Sequence, residues 1–279
     1  MPTDADEGAQ DQESIIHEDR FVAFVDILGF SDLVKKTKND QKLRQQVTDA
    51  LKQVQKFHSP ETGESGLRVH YFSDSLIAST TKTAHGLWHL LLSLDSLAWN
   101  LLGMDVLVRG GVAVGNIYYE DKIVFGEGVI EAYRLENTIA KFPRIILGRS
   151  VYELAKAYAN EGGVWSEYVR ARLMRDNDGV VFLNFLNDMA AGNFVMDSVP
   201  NSGEMPWVVM GNQIRELIQN RINTTLESPD IYAKAEWLAK YWNKVVTRGR
   251  DSKVLAVGGI TLAGEDNSLS GLPYRHTAS

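Results

Sequence analysis

Two aspartates, each set inside an apolar, strand-like run, constrain this chain most: Asp26 in FVDILGFSDLV (residues 24–34) and Asp74 in HYFSDSLIAS (residues 70–79). Burying an unpaired carboxylate costs several kcal/mol, so a strand that keeps one calls for a cation to offset it. Asp26 is followed by Ile27, Leu28, Gly29, Phe30 and Ser31, after which the apolar spacing becomes helical. Gly29 permits a backbone shape closed to other residues, so the segment reads as strand, tight turn and helix start. Amides at a helix start lack partners and favour phosphate oxygens, and an adjacent carboxylate favours a divalent cation. Read alone, Asp26 also fits a helix cap or a satisfied strand end.

Composition narrows the setting. A length of 279 residues with 44% hydrophobic content is enough for one large core. Seven acids and one base in residues 1–20 account for all but one unit of the net charge of −7. Residues 1–20 are therefore expected to be a disordered acidic tail, and the near-neutral remainder argues against nonspecific nucleic-acid binding. Cysteine is absent, which removes disulfides and cysteine-based zinc sites. The most apolar stretches are interrupted by His89, Asp95, Asn100, Asp105 and Arg109, so no membrane span is expected. The start has no basic, apolar leader pattern, and the expected location is the cytoplasm.

The pattern predicts a strand over residues 21–27, a helix over 31–56, and two short strands within 67–79 that bend at Ser73, Asp74 and Ser75. A helix follows over 84–102, strands over 106–114 and 116–119, and a helix from Gly126 to Ile139. Then come a strand over 144–147, a helix over 150–160, and a last strand pair over 168–174 and 180–185. This order implies an α+β fold. Residues 21–199 are expected to form its main domain, 200–250 a helical extension and 251–279 a tail with one apolar run at 254–262.

The third long motif is VRGGVAVGNIYYEDKIVFGEGVIEAYRLE, residues 108–136. Together the three motifs resemble, over residues 21–185, the catalytic domain of the class III nucleotidyl cyclases. The resemblance implies an antiparallel-rich sheet with flanking helices and two divalent metal ions, Mn²⁺ or Mg²⁺, bridged by Asp26 and Asp74 and completed by the carbonyl of Ile27. It also implies a phosphate-holding turn of Leu28, Gly29, Phe30 and Ser31, and Arg134 as the transition-state arginine. In isolation Arg134 reads as a surface arginine paired with Glu131 or Glu136. The family works as head-to-tail homodimers in which one protomer supplies the aspartates and the other the arginine and base-reading residues.

Departures from the family pattern refine this. The two purine-reading positions fall on His70 and Ile123, neither of which serves a purine edge as the family does. The ribose-positioning Asn is replaced by Ile130. With Ala132, Tyr133, Arg134, Leu135 and Glu136 in sequence, the chain most resembles the bacterial pyrimidine cyclases of the Pycsar anti-phage systems. That implies UTP, ahead of CTP, as substrate and a separate effector protein that responds to the cyclic nucleotide, with Tyr71 or Tyr133 as the larger neighbour expected to fill space beside the smaller base. A purine cyclase and a catalytically degenerate nucleotide-binding module are the rival readings. Arg175 matches the family's triphosphate-binding lysine, with an exposed strand face as its alternative along with Arg170 and Arg172. His85 and His89 share a helix face and could bind a metal, but no acidic partner lies near them, and they read as a core or surface pair.

Overall fold

A computed structural model describes residues 17–56, 65–120, 123–161, 169, 171–187 and 206–246. Its centre is an eight-stranded, mostly antiparallel sheet, flanked by helices. The strands are β1 (His17–Ile27), β2 (Arg68–Phe72), β3 (Ser75–Thr81), β4 (Val108–Glu120), β5 (Ile123–Phe125), β6 (Ile145–Leu147), β7 (Leu173–Arg175) and β8 (Val181–Leu183). They run in the order β2-β3-β1-β4-β6-β8-β7, with β5 paired to β4, and only β4 and β6 lie parallel. The helices are α1 (Phe30–Thr37), α2 (Gln41–Lys56), α3 (Ala84–Gly103), α4 (Glu127–Arg134), α5 (Arg149–Glu161), α6 (Pro206–Thr224) and α7 (Pro229–Val246).

The alternation of β1 divides the sheet into two faces. Phe21, Ala23 and Val25, with Leu76 and Ala78 opposite on β3, are almost wholly buried against α3 through Leu87, Leu90, Leu91 and Leu94. Val22, Phe24 and Asp26 point the other way, towards α4. There Gly111 is required by a close approach: a Cβ would come within 2.5 Å of the Ala132 carbonyl and of Leu135 Cβ. The first face carries the core and the second carries the site.

Several elements differ from the sequence expectation. β1 begins at His17, inside the stretch expected to be a tail, while residues 1–16 lie outside the described ones. The single helix over 31–56 is two, because Asp40 accepts the Leu43 amide at 2.9 Å and starts α2 anew. β4 is continuous through Gly115, where strands over 106–114 and 116–119 were expected; this glycine makes room for Gly128, whose nitrogen would lie 2.9 Å from an added Cβ. The helix expected up to Ile139 is α-helical only to Arg134 and then widens into a π-turn, Leu135–Ile139. The strand expected over 168–174 is cut to β7, since Arg172 turns inward and pairs with Asp95 of α3. Residue 170 and the apolar run 254–262 lie outside the described residues.

The helices α6 and α7 share the core with the sheet. Ile214, Ile218, Leu238, Ala239 and Trp242 are buried within it, and Arg221 reaches Asp105, in the turn before β4, at 2.6 Å. The Tyr241 hydroxyl donates to Asn184 Oδ1 at 2.7 Å and accepts the Leu186 amide at 3.1 Å. Tyr241→Phe leaves both partners buried and unsatisfied, so it is expected to lower unfolding free energy by about 1–3 kcal/mol. Urea denaturation checks this.

Candidate functional site

The β1–β3 register places Asp26 opposite Ser75, directly after the β2–β3 bend that carries Asp74. Ser73 makes that bend with a positive φ of 51°. The bend is tied to the end of β1, because the Ile27 amide donates to the Asp74 carbonyl at 3.3 Å. Asp26, Ile27 and Asp74 are therefore brought together as the sequence led one to expect. The Ser75 hydroxyl donates to Asp26 Oδ1 at 2.9 Å. Burial pushes the Asp26 carboxyl above the usual range; Ser75 opposes the rise, the charge of Asp74 adds to it and Arg109 opposes it.

Sequence reading missed the partner on the other side. Arg109 of β4 stands opposite Asp26 in the ladder, with Nη2 3.8 Å from Asp26 Oδ2. Its Nε lies 2.5 Å from Glu136 Oε1, on the π-turn after α4. The Glu136 side chain is 3% exposed, and burial raises its carboxyl while Arg109 works the other way. Arg109 is thus the cationic side chain nearest to the half-buried Asp26, though its closer ion pair is with Glu136. The signal lay in the motif, where Arg109 and Glu136 open and close a segment linking one strand to one helix.

After Ile27 the chain turns at Gly29, whose φ of 77° lies in the left-handed region open to glycine. The phosphate turn needs one correction. The Leu28 amide donates to the Leu107 carbonyl at 2.8 Å, which spends it on holding the turn to the sheet. The Asp32 and Leu33 amides return to the Gly29 carbonyl at 3.1 Å each. Gly29, Phe30 and Ser31 remain as the amides at the open start of α1.

His70 pairs with Ile77, which pairs with Phe24, so His70 lies on the sheet face of Asp26. Two strands across and two residues along, its Cα is roughly 12 Å from that of Asp26. Its ring stacks on Tyr119 at 5.3 Å, with Arg68 4.8 Å above the same ring. Burial, then Arg68, lowers the His70 pKa, keeping it neutral near pH 7. Tyr133 packs edge-on against Phe24 at 5.2 Å. Ile123, at the start of β5, is 56% exposed.

Arg134 is not among the groups gathered at Asp26. It lies on the outer side of α4, where Nε and Nη2 each donate to Glu131 at 2.7 Å, beside Ile130, which is 69% exposed. The exposed-strand reading of Arg172 and Arg175 is overturned: both are buried. Arg175 donates to the Tyr152 hydroxyl at 3.1 Å and lies over that ring, so its guanidinium is committed to the core near α5. His85 and His89 stack on each other at 6.3 Å with Trp88 alongside, as a packed pair.

The donor set at Asp26 and Asp74 fits a divalent ion of the Mg²⁺ or Mn²⁺ kind. Two neighbouring carboxylates, one of them held above its usual pKa by burial and by the other's charge, offer hard oxygens and gain from added positive charge. Among the described residues no group of three or more acidic, histidine or cysteine side chains forms a closed cage. Such an ion would be completed by backbone oxygen, water and substrate phosphate. A cavity of about 370 Å³ lies elsewhere, between the β7–β8 turn and α7, walled by Phe142, Phe182 and Trp237. Its carboxylates Asp176 and Asp178 already hold the fully buried Arg144.

No family model and no curated protein matches the chain. Among solved structures it is similar to a bacterial light-regulated adenylyl cyclase at 15% identity and a TM-score of 0.41, covering 51% of this chain and 46% of that one. It is also similar to an adenylate/guanylate cyclase/hydrolase from Silicibacter pomeroyi at 17% identity and a TM-score of 0.38, covering 60% and 95%. A class III adenylyl cyclase-like ATP-binding protein from Pseudomonas aeruginosa gives 12% identity and 0.37, covering 50% and 35%. The chain thus spans less than half the length of the light-regulated cyclase, and these figures by themselves assign it neither a family nor an activity.

Proposed function

We propose that the chain is a divalent-metal-dependent nucleotidyl cyclase that works as a head-to-tail homodimer on a pyrimidine nucleoside triphosphate, UTP ahead of CTP. The observation that carries this reading is the meeting of Asp26 and Asp74 beside the open start of α1. Metal ions, when bound, would supply activation of the ribose 3′-oxygen and charge neutralisation on the departing pyrophosphate. The chain's part is to position. Asp26, Asp74 and the Ile27 carbonyl would hold the metals, and the Gly29, Phe30 and Ser31 amides would take the β- and γ-phosphates. Arg134 meets the negative charge that grows on the α-phosphoryl oxygens.

Two features favour a second copy. Arg134 faces outward from the chain that holds the aspartates, so a partner can receive it. Beside it on α4 Ile130 and Tyr133 are about half exposed or more, apolar side chains that a partner surface would cover. Arg175, committed to Tyr152, is left out of the triphosphate site.

The pyrimidine choice rests on His70 and Ile123. The neutral imidazole of His70 offers one donor and one acceptor and Ile123 offers neither, so the two positions would not match a purine edge as the family does. The product would act on a separate effector in anti-phage defence, which the resemblance of the Arg134 helix alone supports. Purified protein incubated with each of the four ribonucleoside triphosphates and Mn²⁺ or Mg²⁺, with products separated by chromatography, tests the proposal. UTP or CTP should be converted to a 3′,5′-cyclic monophosphate at least about a hundredfold more efficiently than ATP or GTP. Comparable turnover of a purine nucleotide removes the pyrimidine reading and keeps the cyclase. Absence of any cyclic product favours the degenerate binding module, for which the replacement of Asn by Ile130 is the specific argument.

A further inference from the structure

On the reading of Asp26 and Asp74 as a metal site, we propose that Glu136 sets the metal affinity of that site by holding the Arg109 guanidinium off Asp26. Arg109 has two acidic neighbours and one charge. Its Nε is 2.5 Å from Glu136 Oε1, whereas its Nη2 is 3.8 Å from Asp26 Oδ2, so the closer of its two ion pairs is with Glu136. A guanidinium and a divalent cation compete for the same carboxylate oxygens, and a cation fixed against Asp26 would repel the metal as well as block it.

The placement of Glu136 serves this separation. Its side chain is 3% exposed and lies deep beside the sheet, where a carboxylate is tolerated only with a partner. The π-turn that carries it presses on Gly111, two residues from Arg109 on the same strand, and a Cβ there would come 2.9 Å from the Glu136 amide. Backbone packing therefore fixes Glu136 beside Arg109, and the ladder pairing fixes Arg109 beside Asp26. Neutralising Glu136 leaves Asp26 as the acidic group that Arg109 can reach by closing the remaining gap. Glu136 is a positioning residue, acting on the metal only through Arg109.

The test measures Mn²⁺ alone binding to the full chain without nucleotide, with free Mn²⁺ read by electron paramagnetic resonance. Glu136→Gln should bind Mn²⁺ about tenfold or more weakly than the wild type, the usual scale for loss of a group that orients a ligand. Adding Arg109→Met to Glu136→Gln removes the competitor together with its holder, and affinity should return to the wild-type level or above. Glu127→Gln, the same charge change at an exposed position on α4, should shift affinity by no more than about twofold. Wild-type affinity in Glu136→Gln, or a double variant as weak as Glu136→Gln, overturns the proposal. If Glu136→Gln does not fold, the double variant decides alone: affinity at or above wild type supports the guard, and a tenfold loss overturns it. Failure of the wild type itself to bind Mn²⁺ removes the metal reading, an outcome distinct from any difference among the variants.

Discussion

Alanine at Asp26 or at Asp74 should abolish cyclisation of the nucleotide while leaving the fold intact or more stable. Each change removes half of the carboxylate pair, and with it the oxygens that, on the proposed function, would bring metal to the triphosphate. Stability should move the other way for Asp26, because burial and the charge of Asp74 raise its folded-state pKa above the unfolded one. The sign follows from linkage: such a carboxyl adds stability while protonated, below its unfolded value of about 4, and that contribution is lost as pH rises through the folded value. At neutral pH the ionised side chain is a liability that Asp26→Ala relieves, less the hydrogen bond from Ser75 and the approach of Arg109. Thermal melts should therefore show Asp26→Ala at or above the wild type at pH 7, with the advantage shrinking or reversing near pH 4. Near wild-type turnover of either variant with metal present would sink the two-metal assignment.

The parts of this site that were legible in the sequence are those written in adjacent residues. Alternation around Asp26, the glycine at position 29 and the polar bend at residues 73–75 each announce their geometry within a few positions. What escaped was whatever depends on pairing between distant segments. Arg109 and Glu136 are 27 positions apart, and only the ladder register and the space left by Gly111 bring their charges together beside Asp26. The inward turn of Arg172 and Arg175 escaped for the same reason: their partners, Asp95 and Tyr152, stand on helices far away in sequence. Leu28 shows a subtler limit. Its position in the turn was readable, but the strand carbonyl that claims its amide belongs to Leu107. Glycine carries two meanings in one alphabet: Gly29 supplies a left-handed turn, whereas Gly115 only makes room for α4 inside an unbroken strand.

Mixing two inactive variants should restore activity, and this is the sharpest consequence of where Arg134 points. On its own Arg134→Ala is expected to slow the chemical step by roughly a hundredfold or more while changing nucleotide affinity much less, since on the proposed role the guanidinium would engage charge that develops in the transition state. Asp74→Ala is expected to be inactive through loss of the proposed metal site. Within one chain Asp74 sits at the tip of the β2–β3 bend against β1, whereas Arg134 is on the outer side of α4 and is held by Glu131. If each active site takes aspartates from one protomer and arginine from the other, a mixed dimer of the two variants has one site with both defects and one with neither. Random exchange makes half of the dimers mixed, and each has one working site of two, so the mixture should recover about a quarter of wild-type activity. A chain that used its own Arg134 would give two defective sites in every dimer and no recovery. Subunit exchange is verified by native mass spectrometry of differently tagged variants, and turnover is then read on the same sample. Exchange without recovered turnover refutes the shared site and places Arg134 outside the reaction or within its own protomer's site.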